Sequence, residues 1–137
     1  VDWIFLLADR PYPYGLYGQY PWVACKSFPS EGWQYMRTAS LVVSMFGQTV
    51  YDCIYFQTPC IVLARNTEDD RNVLWLQQQC AAVFAAGDIR AYSNRPEEFC
   101  RAIQGAWTSR TRSAAFASEK LDGHGVARIA DAIIALV

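Results

Sequence analysis

The chain has 137 residues, of which 53% are apolar and 18% charged, with a formal net charge of −1. That length and composition fit one compact domain with a sizeable core and exclude a disordered tail. The near-neutral charge excludes broad attraction to a phosphate backbone, so no nucleic acid is expected as a partner and any anion must be held locally, by amides and one or two arginines.

Trp3 to Ala8 is a fully apolar run and predicts a first strand. Asp9 to Pro21 holds three prolines, two glycines and four tyrosines without helical period, which predicts a loop. Trp22 to Lys26 predicts a second strand, and Glu31 to Thr38 a short helix with Ser30 as its amino cap. Leu41 to Ser44 is a β-branched apolar run of the kind buried on both faces of a parallel sheet, and it stops at Phe46-Gly47. From Gln48 to Phe56 the apolar residues Val50, Tyr51, Ile54 and Tyr55 fall at helical spacing, and Thr58-Pro59 ends the helix. Cys60 to Ala64 follows at once as the next strand. A strand, helix and strand joined this tightly predict a right-handed parallel crossover.

Beyond Asn66, an acidic then basic run leads into Val73, Leu74, Leu76 and Cys80, which predicts a helix to about Gln79 capped by Thr67 or Asp69. Ala81 to Ala85 predicts a fifth strand closing at Gly87-Asp88. Pro96 to Trp107 repeats Phe99, Ile103, Ala106 and Trp107 as an amphipathic helix with acids in its first turn, and Thr111 to Leu121 is a weaker, alanine-rich one. The last helix, Gly125 to Leu136, is expected to bury Val126, Ile129, Ala130 and Ile133. The whole pattern predicts an α/β, Rossmann-like parallel sheet of about five strands with helices on both faces.

Chemistry is expected at the turn Phe46-Gly47-Gln48-Thr49, which joins the carboxyl end of a parallel strand to the amino end of a helix. The first helical amides lack internal partners and carry the positive end of the macrodipole, so they welcome an anion. Gly47 carries no side chain to block a phosphate, Thr49 offers a hydroxyl, and Asp52 one turn on is placed to accept from sugar hydroxyls. The same residues are also those of a plain tight turn followed by a first-turn acid. Asp122-Gly123-His124-Gly125 is a second turn of this kind. His124 is the single histidine, so no Ser-His-Asp arrangement is repeated elsewhere.

The string from Ser44 to Asp52, followed by Pro59 and an apolar strand ending near Asn66, resembles the signature "S-x-G-G-x-T-x-Y-E … G-x-P … N-Q". That signature belongs to the carboxyl-terminal domain of GT-B nucleotide-sugar enzymes, above all the nucleotide-sugar hydrolases of the pseudaminic acid pathway and their glycosyltransferase relatives. The tail from Asp122 to Ala130 resembles the same branch's "D-G-x-G-x-x-R-I-A". The resemblance implies a donor-binding domain for a nucleotide sugar, with a uridine diphosphate sugar the expected ligand. Ser44, Gly47, Gln48, Thr49, Asp52 and Asn66 would be its binding residues, the acceptor or water-activating residues would lie in an absent domain and leave the catalytic residues unknown, and no metal or cofactor is implied. It leaves open a glycosyltransferase, a nucleotide-sugar hydrolase and a degenerate, non-catalytic interaction domain. Three departures stand out: Phe46 replaces the first glycine of the pair, Asp52 is one methylene shorter than glutamate, and Thr67 follows Asn66 where glutamine is common.

No apolar run reaches the roughly 20 residues that cross a bilayer, so no transmembrane segment is expected. Five cysteines, odd in number and without a CxxC pair, are expected to be free thiols in a reducing cytoplasm. The chain begins at Val1, and no glycine-rich turn precedes Gly47. It reads as a piece of a two-domain protein whose amino-terminal domain is its expected partner, without turnover of its own.

Overall fold

A computed structural model of the chain describes residues 4–8, 23–27, 32–113 and 121–136. The chain divides into two compact units, Val1–Thr38 and Ala39–Val137. In the first unit, strands β1 (Ile4–Ala8) and β2 (Val23–Ser27) pair in parallel, Ile4 opposite Val23 and Ala8 opposite Ser27. Parallel neighbours need a long connection between them, and residues 9–22 supply it. Helix α1 (Gly32–Thr38) follows and buries Gly32 and Met36. The expected loop from Asp9 to Pro21 and the Ser30 cap lie outside the described residues.

The second unit is built on a three-stranded parallel sheet in the order β3 (Val42–Met45), β4 (Cys60–Ala64), β5 (Val83–Asp88). Helix α2 (Gln48–Tyr55) connects β3 to β4, and α3 (Thr67–Gln79) connects β4 to β5. The α/β class and the parallel pairing therefore hold. The single five-stranded sheet does not: among the described residues the five strands fall into one pair and one triplet.

β4 is the centre of the core because every residue in it is buried. Successive strand side chains point to opposite faces, so burial of all five means that both faces are covered there. Cys60 meets Cys53 of α2, which puts α2 on the face shared by Cys60, Val62 and Ala64; hydrogen bonding to Cys53 and burial push the Cys60 thiol up. On the opposite face, Ile61 is 1% exposed, whereas its neighbour in register, Val43 on the edge strand β3, is 44% exposed.

The boundaries that differ most from expectation are those of β5 and α4. β5 begins at Val83 and runs through Gly87 rather than stopping at Ala85. Val62 pairs with Ala85 and Leu63 with Gly87, which leaves Ala86 as an extra residue in a bulge that Gly87 permits with φ +80°. The bulged Ala86 carbonyl accepts from the Tyr92 hydroxyl, and Asp88 caps a short 3-10 turn, Ile89–Tyr92, that the residue pattern does not announce. Helix α4 (Pro96–Ser113) runs one and a half turns past Trp107. It absorbs the start of the predicted alanine-rich helix, whose residues 114–120 lie outside the described residues and whose expected end, Leu121, is not helical.

The largest correction concerns α5 (Gly125–Ile134). Its periodicity is as predicted, but the burial is not: Val126 is 81% exposed, Ile129 62% and Ile133 59%, and Ala130 is exposed as well. The spacing specifies an apolar face and says nothing about what covers it. Among the described residues, no helix is long and apolar enough to cross a membrane.

Candidate functional site

All three strands of the larger sheet run the same way, so their carboxyl ends share one edge, the usual ligand edge of an open α/β sheet. At that edge the Phe46 peptide is held twice. Its N–H donates to Leu63 O at 3.1 Å, and its carbonyl accepts from Arg65 Nη2 at 3.1 Å. Gly47 follows as the amino cap of α2 in an extended conformation, with no side-chain cap. Its carbonyl takes the first turn's bond from Val50 N at 3.1 Å, and the amides of Gln48 and Thr49 are left without a partner among the described residues. Among the described residues, nothing lies within 4 Å of the place where a Cβ on Gly47 would stand. Phe46, the residue that departs from the familiar glycine pair, turns its ring edge-on to Tyr51 with centroids 6.4 Å apart.

Of the six predicted binding residues, four come together on the opening turns of α2. Gly47, Gln48, Thr49 and Asp52 succeed one another there, and Gln48 Nε2 donates to Asp52 Oδ1 at 3.3 Å. Ser44 stands three residues before Gly47, on β3, with its hydroxyl donating to Met45 O at 2.9 Å. Asn66 serves the local fold instead of standing free. Its Oδ1 accepts from Asp69 N at 2.9 Å, which makes Asn66 the amino cap of α3 in place of Thr67 or Asp69.

Arg65 is the group at this edge that the sequence pattern did not single out. Its Nε donates to Asp69 Oδ2 at 2.7 Å and its backbone N–H to the same oxygen at 3.2 Å, so a 7% exposed carboxylate holds the guanidinium beside the Phe46 carbonyl. Hydrogen bonding from Arg65 holds the Asp69 carboxyl below its ordinary range, and the pair raises Arg65 in turn. Asp69 had the look of a first-turn acid suited to the dipole. Its spacing of four from Arg65 was the available signal.

Beside the turn, the outer face of α2 meets the entry to α5 around a cavity of about 250 Å³ lined by Gln48, Tyr51, Asp52, Tyr55, Leu121 to Gly123 and the first turn of α5. The α5 turn is already satisfied from within. Asp122 accepts from His124 N at 3.0 Å and takes a two-point pair from Arg128, at 2.7 and 3.0 Å, which lowers its carboxyl. Among the described residues, Asp52 is thus the carboxylate of this cavity that has no ion pair. No family model, no curated protein and no solved structure matches the chain.

Proposed function

We propose that this chain is the donor-binding half of a GT-B-like glycosyltransferase and takes a nucleoside diphosphate sugar, a uridine diphosphate sugar by preference. The observation that carries the reading is the open turn at Gly47. Two unpartnered amides start a helix there, with an arginine held one strand away, and Asp52 stands one turn further along. Amides at a helix start favour an anion, a guanidinium favours a phosphate, and a carboxylate favours a vicinal diol. These groups follow one another in the order in which a nucleoside diphosphate presents its parts. The signature running from Ser44 to Asp52 supports the same assignment, as do the parallel β3, α2 and β4. A nucleotide-sugar hydrolase would use the same donor end, with water as acceptor.

Calorimetry on the whole chain tests the reading. Uridine diphosphate is expected to bind at least tenfold more tightly than uridine, because each charge-assisted amide contact contributes about 1.5–3 kcal/mol. Gly47→Val is expected to abolish the difference while preserving the fold, since the extended backbone and the empty space beside Gly47 accept a side chain that then fills the phosphate's place. Phe46→Gly is expected to strengthen binding. Equal, negligible binding of diphosphate and nucleoside by the parent and by Phe46→Gly defeats the proposal.

A further inference from the structure

The diphosphate and ribose ends of such a ligand leave its ring unassigned, and the cavity beside α2 is placed to receive it. Asp52 lies about 7–8 Å along the helix axis from Gly47, and Tyr55 about 4.5 Å beyond Asp52, from the rise of an α-helix. A nucleoside diphosphate has its charged, hydroxylated and aromatic parts in that order. We propose, resting on the reading above, that the nucleotide lies along the outer face of α2 and that its base stacks against Tyr55 in the open cavity lined by the Gly123 turn.

Three observations carry this. Tyr55 is half exposed, so its ring is available, yet it is not free to wander. Gly123 lies so close that a Cβ there would stand 3.3 Å from Tyr55 Cε2 and 3.4 Å from its hydroxyl oxygen. Phe56 meets the Tyr55 ring edge-on, with centroids at 5.3 Å. A stacking platform fixed before the ligand arrives loses little freedom on binding. Gly123 also has φ +76°, a conformation that a side chain would strain, so the turn favours glycine at that position and a Cβ there would press on the Tyr55 ring. Lastly, about 250 Å³ is below the roughly 300–1,000 Å³ of a pocket that encloses a drug-sized ligand. It therefore suits one ring system at one end of a nucleotide sugar rather than the whole molecule.

The experiment is calorimetry of the whole chain with uridine diphosphate and, separately, inorganic pyrophosphate, for the parent, Tyr55→Phe and Tyr55→Ala. Base stacking on an aromatic side chain predicts that Tyr55→Ala weakens uridine diphosphate by about tenfold or more, while Tyr55→Phe stays within about twofold. Pyrophosphate is expected to bind all three proteins alike. If Tyr55→Ala binds uridine diphosphate as the parent does, the base lies elsewhere and this inference fails, while the donor-site reading stands. An equal fall for pyrophosphate also overturns it, because the substitution would then be acting on α2 as a whole. No binding of uridine diphosphate by the parent removes the donor-site reading itself.

Discussion

Helices α2 and α5 invite comparison because each opens after a glycine-bearing turn and each repeats apolar residues at helical spacing. Their fates differ. α2 buries Val50, Cys53 and Ile54 against a sheet whose central strand is wholly apolar, while α5, with a longer apolar face, buries no residue. Their amino ends differ in the opposite sense. The turn before α5 is filled by the chain's own Asp122 and Arg128, whereas among the described residues the amides of Gln48 and Thr49 at the α2 turn have no partner. The helix that is packed is the one whose entrance is free. A firmly packed helix with an unsatisfied amino end holds its donors in place for a ligand, and an exposed helix with a closed entrance does not.

The largest expected effect breaks this comparison at its packing. Ile61→Ala removes a side chain that is 1% exposed at the centre of β4, and is expected to cost about 2–5 kcal/mol. Ile129→Ala trims a side chain that is 62% exposed, and is expected to stay within about 0.5 kcal/mol. Denaturant midpoints at constant slope measure both. A loss at Ile129 comparable to that at Ile61 would mean that the α5 face is covered in solution.

Most of the larger unit was legible for one physical reason. A strand buried on both faces must be apolar throughout, and Cys60 to Ala64 announces that without ambiguity, with Gly47 and Pro59 marking the ends of the helix before it. The two-unit arrangement was not legible, because β1 resembles a sheet strand whichever neighbour it pairs with, and strand pairing is a long-range choice. The bulge at Ala86 and the true cap at Asn66 depend on backbone paths that composition does not record. In the candidate site, the four residues on α2 were readable as one turn of chain. Arg65 was not, since its role rests on a hydrogen bond to the Phe46 carbonyl, nineteen residues away.

A middling effect sharpens the comparison through two of the aspartate–arginine pairs, Asp69 with Arg65 and Asp122 with Arg128. Asp69 is buried beneath an exposed Arg65, while Asp122 and Arg128 are both exposed. Each aspartate is held below its ordinary value by its arginine's hydrogen bonds. Each pair therefore stabilises the fold above the unfolded carboxyl value, near 3.9, and that contribution is lost as pH falls through the lower folded value. Arg65→Met leaves a buried charge at neutral pH, so the drop in thermal midpoint should be large near pH 7 and should shrink below about pH 4, where Asp69 takes up a proton. Arg128→Met should lower the midpoint far less, and 1 M salt should erase the difference. Equal losses for Arg65→Met at both pH values would show that the ion pair is not what holds Asp69.

The smallest effect compares the two carboxyl ends. α2 closes in a reciprocal pattern in which Thr58 N donates to Cys53 O at 2.8 Å and Gln57 N to Ile54 O at 3.1 Å. This is the double bond of a Schellman ending, and it requires a left-handed residue after the cap. Gln57 supplies it with φ 59°, where an L side chain is strained and glycine is not. Gln57→Gly is thus expected to stabilise the protein by about 0.5–1 kcal/mol: it relieves the strain but returns some freedom to the unfolded chain. At the end of α5, Ala135 is right-handed, and the same change there relieves nothing. Ala135→Gly should give no gain. Opposite responses in paired denaturation curves would tie the gain to the left-handed position. A gain at both sites would detach the effect from the left-handed position, and a loss at Gln57 would mean that the freedom returned to the unfolded chain outweighs any strain relieved; either leaves the strain argument without support.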